Sequence, residues 1–266
     1  RERIQVQGDM ISKADTMRLG NRLLSMDFGV YPTMFDYCLA MALLYFKEQK
    51  CDVVILETGL GGTYDSTNAC GVPDVTVIAK IGFDHMAILG DTLAKIAAEK
   101  AGIIKHGTAL VLESQEKEAM DVLNKAAERA DIKTIKVVNL DEIRILPQKD
   151  GKQCFSYAGY DAVTMKMLGV HQYENAVAAM LAAELFFEKY FAGKKNVPER
   201  KALQHAIREG IDRTQWMGRM ELVSNDPFFL MDGAHNSNGV EALKKSLETM
   251  YPDEKFHFIM GVMADK

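Results

Sequence analysis

Residues 52–57 read DVVILE and residues 75–81 read VTVIAKI, two largely apolar runs that each lead into a polar motif. The first run closes on Glu57 and is followed by TGLGG, and the second continues through GFDH to His85. Strands that are apolar throughout are covered on both faces, which is typical of the parallel sheet of an α/β fold. Ligands of such sheets bind beyond the carboxyl ends of the strands. Glu57 and His85 are therefore expected at a binding edge.

A helix is predicted after these strands, in the segment DTLAKIAAEKAG. Asp91 or Thr92 can cap its first turn, and Gly102 can end it. The helix carries Lys100, which we expect at the same edge as the two strand ends. Three polar side chains are thus predicted to converge there.

The rest of the chain alternates helices and strands, as a doubly wound domain does. Capping-box sequences begin the first two predicted helices. Short alternating runs within residues 141–168 predict a small antiparallel patch. The other predicted helices and strands cover residues 13–26, 34–48, 108–112, 115–130, 133–139, about 172–191 and 198–209.

A domain boundary is predicted within REGIDRTQWMGRM, where Gly210 can terminate the preceding helix. Beyond it, strands MELVS and FFLMD, a helix at about 237–250 and a strand KFHFIMGV give a new βαβ pattern. The sequence therefore predicts one domain over residues 1–213 and the start of a second over 214–266.

Composition excludes several function classes. With 48% hydrophobic and 26% charged residues, the chain is an ordinary globular sequence, and its 266 residues suffice for a large core. A formal net charge of -5 lacks the basic footprint of a nucleic-acid-binding protein. The four cysteines have no metal-ligand spacing and indicate reduced thiols, which predicts a cytoplasmic location. No apolar run reaches the roughly 20 residues of a membrane-spanning helix, so no membrane partner is expected.

Ordered motifs run through the whole chain: ETGLGGTYDSTN, IGFDH, LGDTLAKIAAEKAGIIK, LGVHQYENAVAA, WMGRMELV and MDGAHNSNGVEALKKSLE. Together they resemble the folylpolyglutamate synthase and dihydrofolate synthase family, a branch of the Mur ligase superfamily. Several motifs in order are far more specific than one glycine-rich turn. The resemblance implies an α/β fold with a Mur-ligase-like doubly wound ATP-binding domain, mostly parallel with a small antiparallel patch, followed by part of a second α/β domain.

The activity implied by the resemblance is an ATP-dependent ligation of L-glutamate to folate or dihydropteroate through an acyl phosphate, by a monomer that uses ATP and Mg²⁺. Glu57 and His85 match the family's magnesium ligands. From the residues alone, Glu57 could instead pair with a lysine and His85 could be a core histidine, because Mg²⁺ prefers oxygen. Lys100 matches a carbamylated lysine, although a lysine near a helix C-terminus is also favoured by the dipole.

Four further residues match the family's nucleotide contacts. Asn175 matches an asparagine beside the adenine, and Arg219 matches an arginine that reaches the ATP phosphates. Asp232 and His235 match groups that touch the ribose and phosphates at a domain cleft. Arginine suits phosphate because its guanidinium stays charged and donates two hydrogen bonds at once. The alternative for each is an ordinary solvated side chain.

The chain departs from the family pattern at four positions. Thr63 and Tyr64 stand where an arginine and a leucine are usual, which removes a cation that could meet a substrate carboxylate. Met217 and Ser237 each replace a proline, which softens a turn. The first departure bears on which substrate is held.

Family members carry a phosphate-binding loop of the type GTNGKGS upstream of the segment that ERIQVQGDMIS resembles, and no GxxxxGK[ST] occurs here. The chain is therefore expected to be an internal piece that forms no folylpolyglutamate by itself. Three other functions stay open: a Mur-type muropeptide ligase, a noncatalytic nucleotide- or metal-binding remnant, and a zinc hydrolase using Glu57 and His85. The lack of a third nearby His or Cys argues against zinc. The sequence leaves open whether dihydropteroate, folate polyglutamates or both are extended.

Overall fold

The structure, a computed structural model, describes residues 1–261. The chain packs into two compact units, Arg1–Gly71 and Val72–Lys266. This division reflects which residues contact one another, whereas the predicted boundary near residue 213 rests on a change in sequence pattern. The domains at 1–213 and 214–266 therefore stay a prediction. No helix in the described range is both long and apolar enough to cross a bilayer.

The first unit is built from capped helices. Ser12 accepts a hydrogen bond from the backbone N–H of Asp15, and Thr33 forms a complete capping box with Asp36. Both predicted helices are confirmed, the first ending two residues earlier than expected. The elements of this unit are β1 (Gln5–Val6), β2 (Asp9–Met10), α1 (Lys13–Leu24), α2 (Met34–Glu48) and a 3₁₀ segment (Ser66–Cys70).

The strand predicted at residues 52–57 is wrong. Residues 53–58 have no regular secondary structure, and Ile55 is 90% exposed. A strand exists only where a neighbour completes its backbone hydrogen bonds. Among residues 1–261 no strand pairs with this segment. An apolar run thus predicts the capacity to form a buried strand, while the pairing itself depends on tertiary structure.

The parallel sheet lies in the second unit and confirms the predicted α/β fold. Its order is β3 (Val75–Ile78), β4 (Ala109–Leu112), β5 (Ile135–Val137). All four residues of the central strand β4 are buried, as expected of a strand covered on both faces. The first of these strands is shorter than predicted because the chain leaves the sheet after Ile78. Between them lie α3 (Met86–Leu89), α4 (Leu93–Ala101) and α5 (Lys117–Arg129).

The predicted antiparallel patch is also confirmed. It comprises β6 (Arg144–Lys149), β7 (Lys152–Tyr157) and β8 (Tyr160–Met165), followed by α6 (Gln172–Phe191) and α7 (Arg200–Arg213). Helix α6 packs on β3 and β4 and shares one apolar core with the antiparallel sheet, in which the rings of Phe155 and Tyr173 meet edge to face at 5.7 Å.

The last elements are β9 (Glu221–Asn225), β10 (Phe228–Met231) and α8 (Ser237–Met250). The two strands are where the sequence predicts them, but they pair with each other as an antiparallel hairpin. The strand predicted in KFHFIMGV is wrong over residues 255–261, which have no regular structure, and Val262 lies outside the described residues.

Candidate functional site

Glu57 opens the TGLGG loop, and Asp65 organises that loop from within. Asp65 Oδ2 accepts hydrogen bonds from the N–H groups of Gly59 and Leu60, both at 2.9 Å, and its Oδ1 accepts one from Thr67 N at 3.0 Å. Burial acts to raise the pKa of Asp65, but these hydrogen bonds outweigh it and hold the pKa below its ordinary value. An ionised carboxylate therefore fixes the backbone that follows the exposed Glu57.

The same loop is tied to the start of α2. Ser66 Oγ donates a hydrogen bond to Asp36, whose other oxygen accepts one from Thr33 N at 2.7 Å. A methyl group on Gly59 would lie 2.8 Å from the ring of Phe35. Glycine is thus required at this point by a close approach of side chain to backbone.

His85 ends the loop that follows β3. Its backbone is left-handed, with φ at 49°, and its N–H donates to Asp84 Oδ1 at 2.8 Å. Non-glycine residues rarely adopt this conformation, and it persists only where surrounding contacts enforce it. The imidazole is 47% exposed, so the fold presents this side chain to solvent at the first turn of α3.

A cluster that the sequence reasoning missed surrounds Asp84. Asn236 Nδ2 donates to Asp84 Oδ2 at 2.8 Å. The Nε2 atoms of His85 and His235 lie 3.8 and 4.0 Å from that same oxygen. We name these four residues the Asp84 cluster. The cluster joins the FDH and DGAHN motifs. The sequence feature that could have indicated it is a polar residue next to each predicted histidine: Asp84 precedes His85, and Asn236 follows His235.

A second contact reinforces this junction. Asn238 Nδ2 donates to Phe83 O at 3.3 Å. A methyl group on Gly82 would lie 2.1 Å from Asn238 Nδ2, a distance that no real contact allows. A side chain at position 82 would therefore displace the amide of Asn238 from its hydrogen bond with Phe83 O.

Asp232 has a structural role in addition to its predicted ligand contact. Its Oδ1 accepts from Ala234 N and its Oδ2 from Met220 N, both at 2.8 Å. Met220 is buried and has a left-handed φ of 45°, which this hydrogen bond helps to hold. Gly233 N donates to Gly218 O at 2.7 Å. The WMGRM and DGAHN motifs are thereby held side by side.

The segment that carries Arg219 lies beside the loop that leads into α6, because a methyl group on Gly169 would lie 3.1 Å from Met220 Sδ. Helix α6 carries Asn175. Burial lowers the pKa of His171. The positive charge of Arg219 lowers this pKa further, and the negative charge of Asp232 opposes the shift. Gln172 lies between His171 and Asn175: its Nε2 is 3.1 Å from His171 Nε2. Its Oε1 accepts a hydrogen bond from Asn175 Nδ2 at 2.9 Å. Three predicted nucleotide residues therefore share one neighbourhood.

Lys100 lies in the last turn of α4 and is half-buried. Thr92 caps this helix by accepting from Lys95 N, and Gly102 follows its last residue, as predicted. Within residues 1–261 its ammonium group makes no ion pair or hydrogen bond. Glu57 belongs to the other compact unit, so the convergence of Glu57, His85 and Lys100 stays a prediction.

The ligand chemistry distinguishes two kinds of metal site. Among the described residues no three His, Cys, Asp or Glu side chains gather as a zinc site requires. Mg²⁺ instead binds through one or two protein groups, with waters and substrate phosphates completing its shell. The exposed carboxylate of Glu57 is a group of the kind that this second site uses, and a metal shared between Glu57 and His85 stays a prediction.

Two family models match the chain. Residues 29–183 match the Mur ligase middle domain, and residues 218–266 match the Mur ligase glutamate ligase domain. The dihydrofolate synthase/folylpolyglutamate synthase of Bacillus subtilis (strain 168) is 36% identical over 281 residues, covering 100% of this chain and 62% of that protein.

Solved structures agree with these matches. Mycobacterium tuberculosis folylpolyglutamate synthase complexed with ADP has a TM-score of 0.77 at 30% identity, over 92% of this chain and 56% of that chain. An FPGS-AMPPCP-folate complex has a TM-score of 0.74 at 26% identity, over 90% and 56%. The chain thus spans 56% to 62% of the length of these relatives. With its Mur-ligase-like α/β fold, it belongs to the Mur ligase family, in the folylpolyglutamate synthase and dihydrofolate synthase branch.

Proposed function

We propose that this chain forms part of an ATP-dependent ligase that joins L-glutamate to a carboxylate of folate or dihydropteroate through an acyl phosphate. The observation that carries the proposal is the Asp84 cluster, which unites the FDH and DGAHN motifs. The DGAHN motif also carries Asp232, which accepts a hydrogen bond from the N–H of Met220, the residue after Arg219. Relatives solved with ADP, and with AMPPCP and folate together, support a nucleotide and a folate as ligands.

The nucleotide would be held mainly by polar side chains of the second unit. Arg219 is exposed and its guanidinium can donate two hydrogen bonds to phosphate oxygens. Asn175 would contact the adenine, and His235 the ribose or phosphates. Since His235 Nδ1 lies 2.8 Å from Gly233 O, a proton on Nδ1 fixes the tautomer and leaves Nε2 free to accept a ligand hydroxyl.

Mg²⁺, which Glu57 and His85 would hold, supplies charge neutralisation on the transferred phosphoryl group. Lys100 has no competing ion pair in the described residues. Its ammonium can lose one proton to give the free amine, which adds to CO₂ and releases a second proton, leaving a carbamate. A monomeric, cytoplasmic protein completes the proposal, and the four free cysteines support that compartment.

Substrate choice would depend on the loop that follows Glu57. Tyr64 is 91% exposed, and it stands with Thr63 where the family pattern has a leucine and an arginine. Without that cation, we expect a weaker preference for a substrate with an additional carboxylate, and hence better use of dihydropteroate than of folate polyglutamates.

The test is glutamate ligation by the product of the complete reading frame. We expect labelled L-glutamate to enter dihydropteroate or tetrahydrofolate only with ATP and Mg²⁺, with one ADP released per amide. Arg219→Ala should raise the KM for ATP at least tenfold, the effect of losing about 1.4 kcal/mol. Arg213→Ala removes an arginine whose one ion pair within residues 1–261 is with Glu209, and it should leave the KM unchanged. No incorporation into either acceptor would overturn the proposal and favour a noncatalytic binding role.

A further inference from the structure

The connection that follows β4 holds the backbone of the loop that follows β3. Glu113 is 3% exposed, and its Oε2 accepts a hydrogen bond from Lys80 N at 2.6 Å. Gln115 Oε1 accepts from Ile81 N at 2.8 Å, while its Nε2 donates to Ala79 O at 3.0 Å. Ala79, Lys80 and Ile81, which follow the last residue of β3, thus each have one backbone group hydrogen-bonded to a side chain of the connection after β4.

These bonds act on the segment that leads directly to Asp84 and His85. Residues 79–85 make no sheet ladder, so side chains of the neighbouring connection supply the hydrogen-bond partners that a strand would otherwise give to Ala79, Lys80 and Ile81. We propose that Glu113 is a positioning residue, whose carboxyl group fixes the backbone from which Asp84 and His85 project. The proposal rests on the proposed function only where it concerns what His85 binds.

A second motif is attached to the same connection. Glu174, in the first turn of α6, accepts a hydrogen bond from Ser114 N at 2.6 Å through its Oε1. Asn175 is the next residue. The segment from Glu113 to Gln115 is therefore held between the His85 loop and the helix start that carries the predicted adenine contact, and displacement of one is transmitted to the other.

The charge of Glu113 responds to both neighbours. Burial raises its pKa to about 7, against the hydrogen bond from Lys80 N. The negative charge of Glu174, on α6, adds to the rise, and the ammonium of Lys80, on the loop, opposes it. A glutamine at this position keeps an acceptor oxygen but carries no charge. Glu113→Gln therefore separates the effect of the hydrogen bond from the effect of the charge.

Hydrogen exchange tests the positioning role directly, without any ligand. In Glu113→Leu, which fills the space but cannot accept, we expect the amide of Lys80 to exchange about tenfold faster, as loss of about 1.4 kcal/mol of local protection requires. The amide of Ile81, which keeps its acceptor in Gln115, should be accelerated less. Glu113→Gln should stay within about twofold of the wild type. Glu116→Ala, which removes an exposed glutamate of the same connection that caps no N–H, is the matched control.

Two results of that experiment would overturn the role. One is unchanged exchange at residues 80 and 81 in Glu113→Leu. The other is a uniform acceleration over the whole protein, because it would mean that Glu113 contributes only global stability. If Glu113→Leu does not fold, Glu113→Asp, which shortens the reach of the carboxylate, is compared with Glu113→Gln in the same way.

A second measurement follows His85 itself in the product of the complete reading frame. In Glu113→Leu we expect the imidazole proton resonances of His85 to move and the Mg²⁺ concentration for half-maximal ligation to rise about tenfold, with both restored in Glu113→Gln. Faster exchange at residues 80 and 81 with neither change would make Glu113 a local structural residue and sink the proposal. Absence of ligation in the wild type would instead contradict the proposed function, and the exchange and imidazole data would still decide the positioning role.

Discussion

Asn236 Nδ2 donates a hydrogen bond to Asp84 Oδ2 at 2.8 Å, across 152 positions of sequence. The same asparagine caps α8, because its Oδ1 accepts from Gly239 N at 2.8 Å. One amide group therefore places a helix start and holds the carboxylate that lies beside two histidines. Both functions need the amide in one orientation, so the contact constrains the geometry of the whole Asp84 cluster.

The first prediction concerns that contact. Asp84→Ala should lower the free energy of unfolding by about 1 to 2 kcal/mol, since Asn236 Nδ2 and the N–H of His85 both lose an acceptor. Asn236→Ser keeps a capping oxygen but removes the amide Nδ2 that reaches Asp84. Urea unfolding of both variants and of the double variant should give a coupling of at least about 0.5 kcal/mol. Purely additive effects would mean that the contact does not stabilise the fold.

A control for that cycle is available in the same region. Asp91 is 70% exposed, and the one ion pair it makes in the described part of the chain is with Lys95, which is 63% exposed. Asp91→Ala should change the stability by less than about 0.5 kcal/mol, because exposed ion pairs of this kind contribute little.

The second prediction concerns pH and stability. The folded-state pKa of Glu113 is raised to about 7, so its contribution is fully present below the ordinary glutamate pKa and is lost as the pH rises through about 7. Relative to Glu113→Gln, the wild type should lose up to about 3 kcal/mol between pH 5 and pH 8. Urea midpoints of both proteins over this range measure the difference, and parallel curves would contradict it.

The third prediction concerns the loop after Glu57. The pKa of Asp65 is lowered, so the stability that this carboxylate contributes is present above its ordinary pKa and lost as the pH falls through the depressed value. Asp65→Ala should leave the N–H groups of Gly59, Leu60 and Thr67 without their acceptor. We expect faster proteolysis and faster amide exchange at residues 59–67 than elsewhere. An unchanged loop would show that other contacts hold it.

The fourth prediction concerns the metal. Glu57→Gln and His85→Ala should each raise the Mg²⁺ concentration for half-maximal ligation at least tenfold, because each removes one of few protein ligands. Glu116→Gln, a substitution of an exposed glutamate, should leave it unchanged. Normal Mg²⁺ dependence in both variants would exclude these residues as the ligands.

The fifth prediction concerns Lys100. Intact-protein and peptide mass spectra recorded from bicarbonate-equilibrated samples should show the mass of one added CO₂ on the peptide carrying Lys100. Lys95, on the same helix but paired with Asp91, serves as the internal control and should remain unmodified. Equal labelling of both lysines would point to nonspecific reaction with CO₂.

The sequence predicted what depends on local chemistry. Ser12, Thr33 and Thr92 cap the helices that they were expected to cap, because a capping side chain bonds to a backbone group only three residues away. Such features need no knowledge of the rest of the fold.

Features that depend on distant partners were not predicted. The run at residues 52–57 has strand composition, but none of the described strands pairs with it. Asp84 was passed over because its main partner, Asn236, is far away in the sequence. The role of Glu113 was equally hidden, since a glutamate after an apolar strand gives no sign of the backbone groups it will meet. Pairing and long-range polar contacts are properties of the assembled chain.

Position 85 is subject to two independent requirements, one on its left-handed backbone conformation and one on its side chain. The proposed magnesium site needs the imidazole, while the backbone conformation favours glycine, asparagine or aspartate and disfavours β-branched residues. In a saturation library at this position, isoleucine and valine would lose both properties, whereas asparagine would lose only the imidazole. Ranking the variants separately by protein abundance and by turnover would therefore distinguish the effect of each substitution on folding from its effect on catalysis.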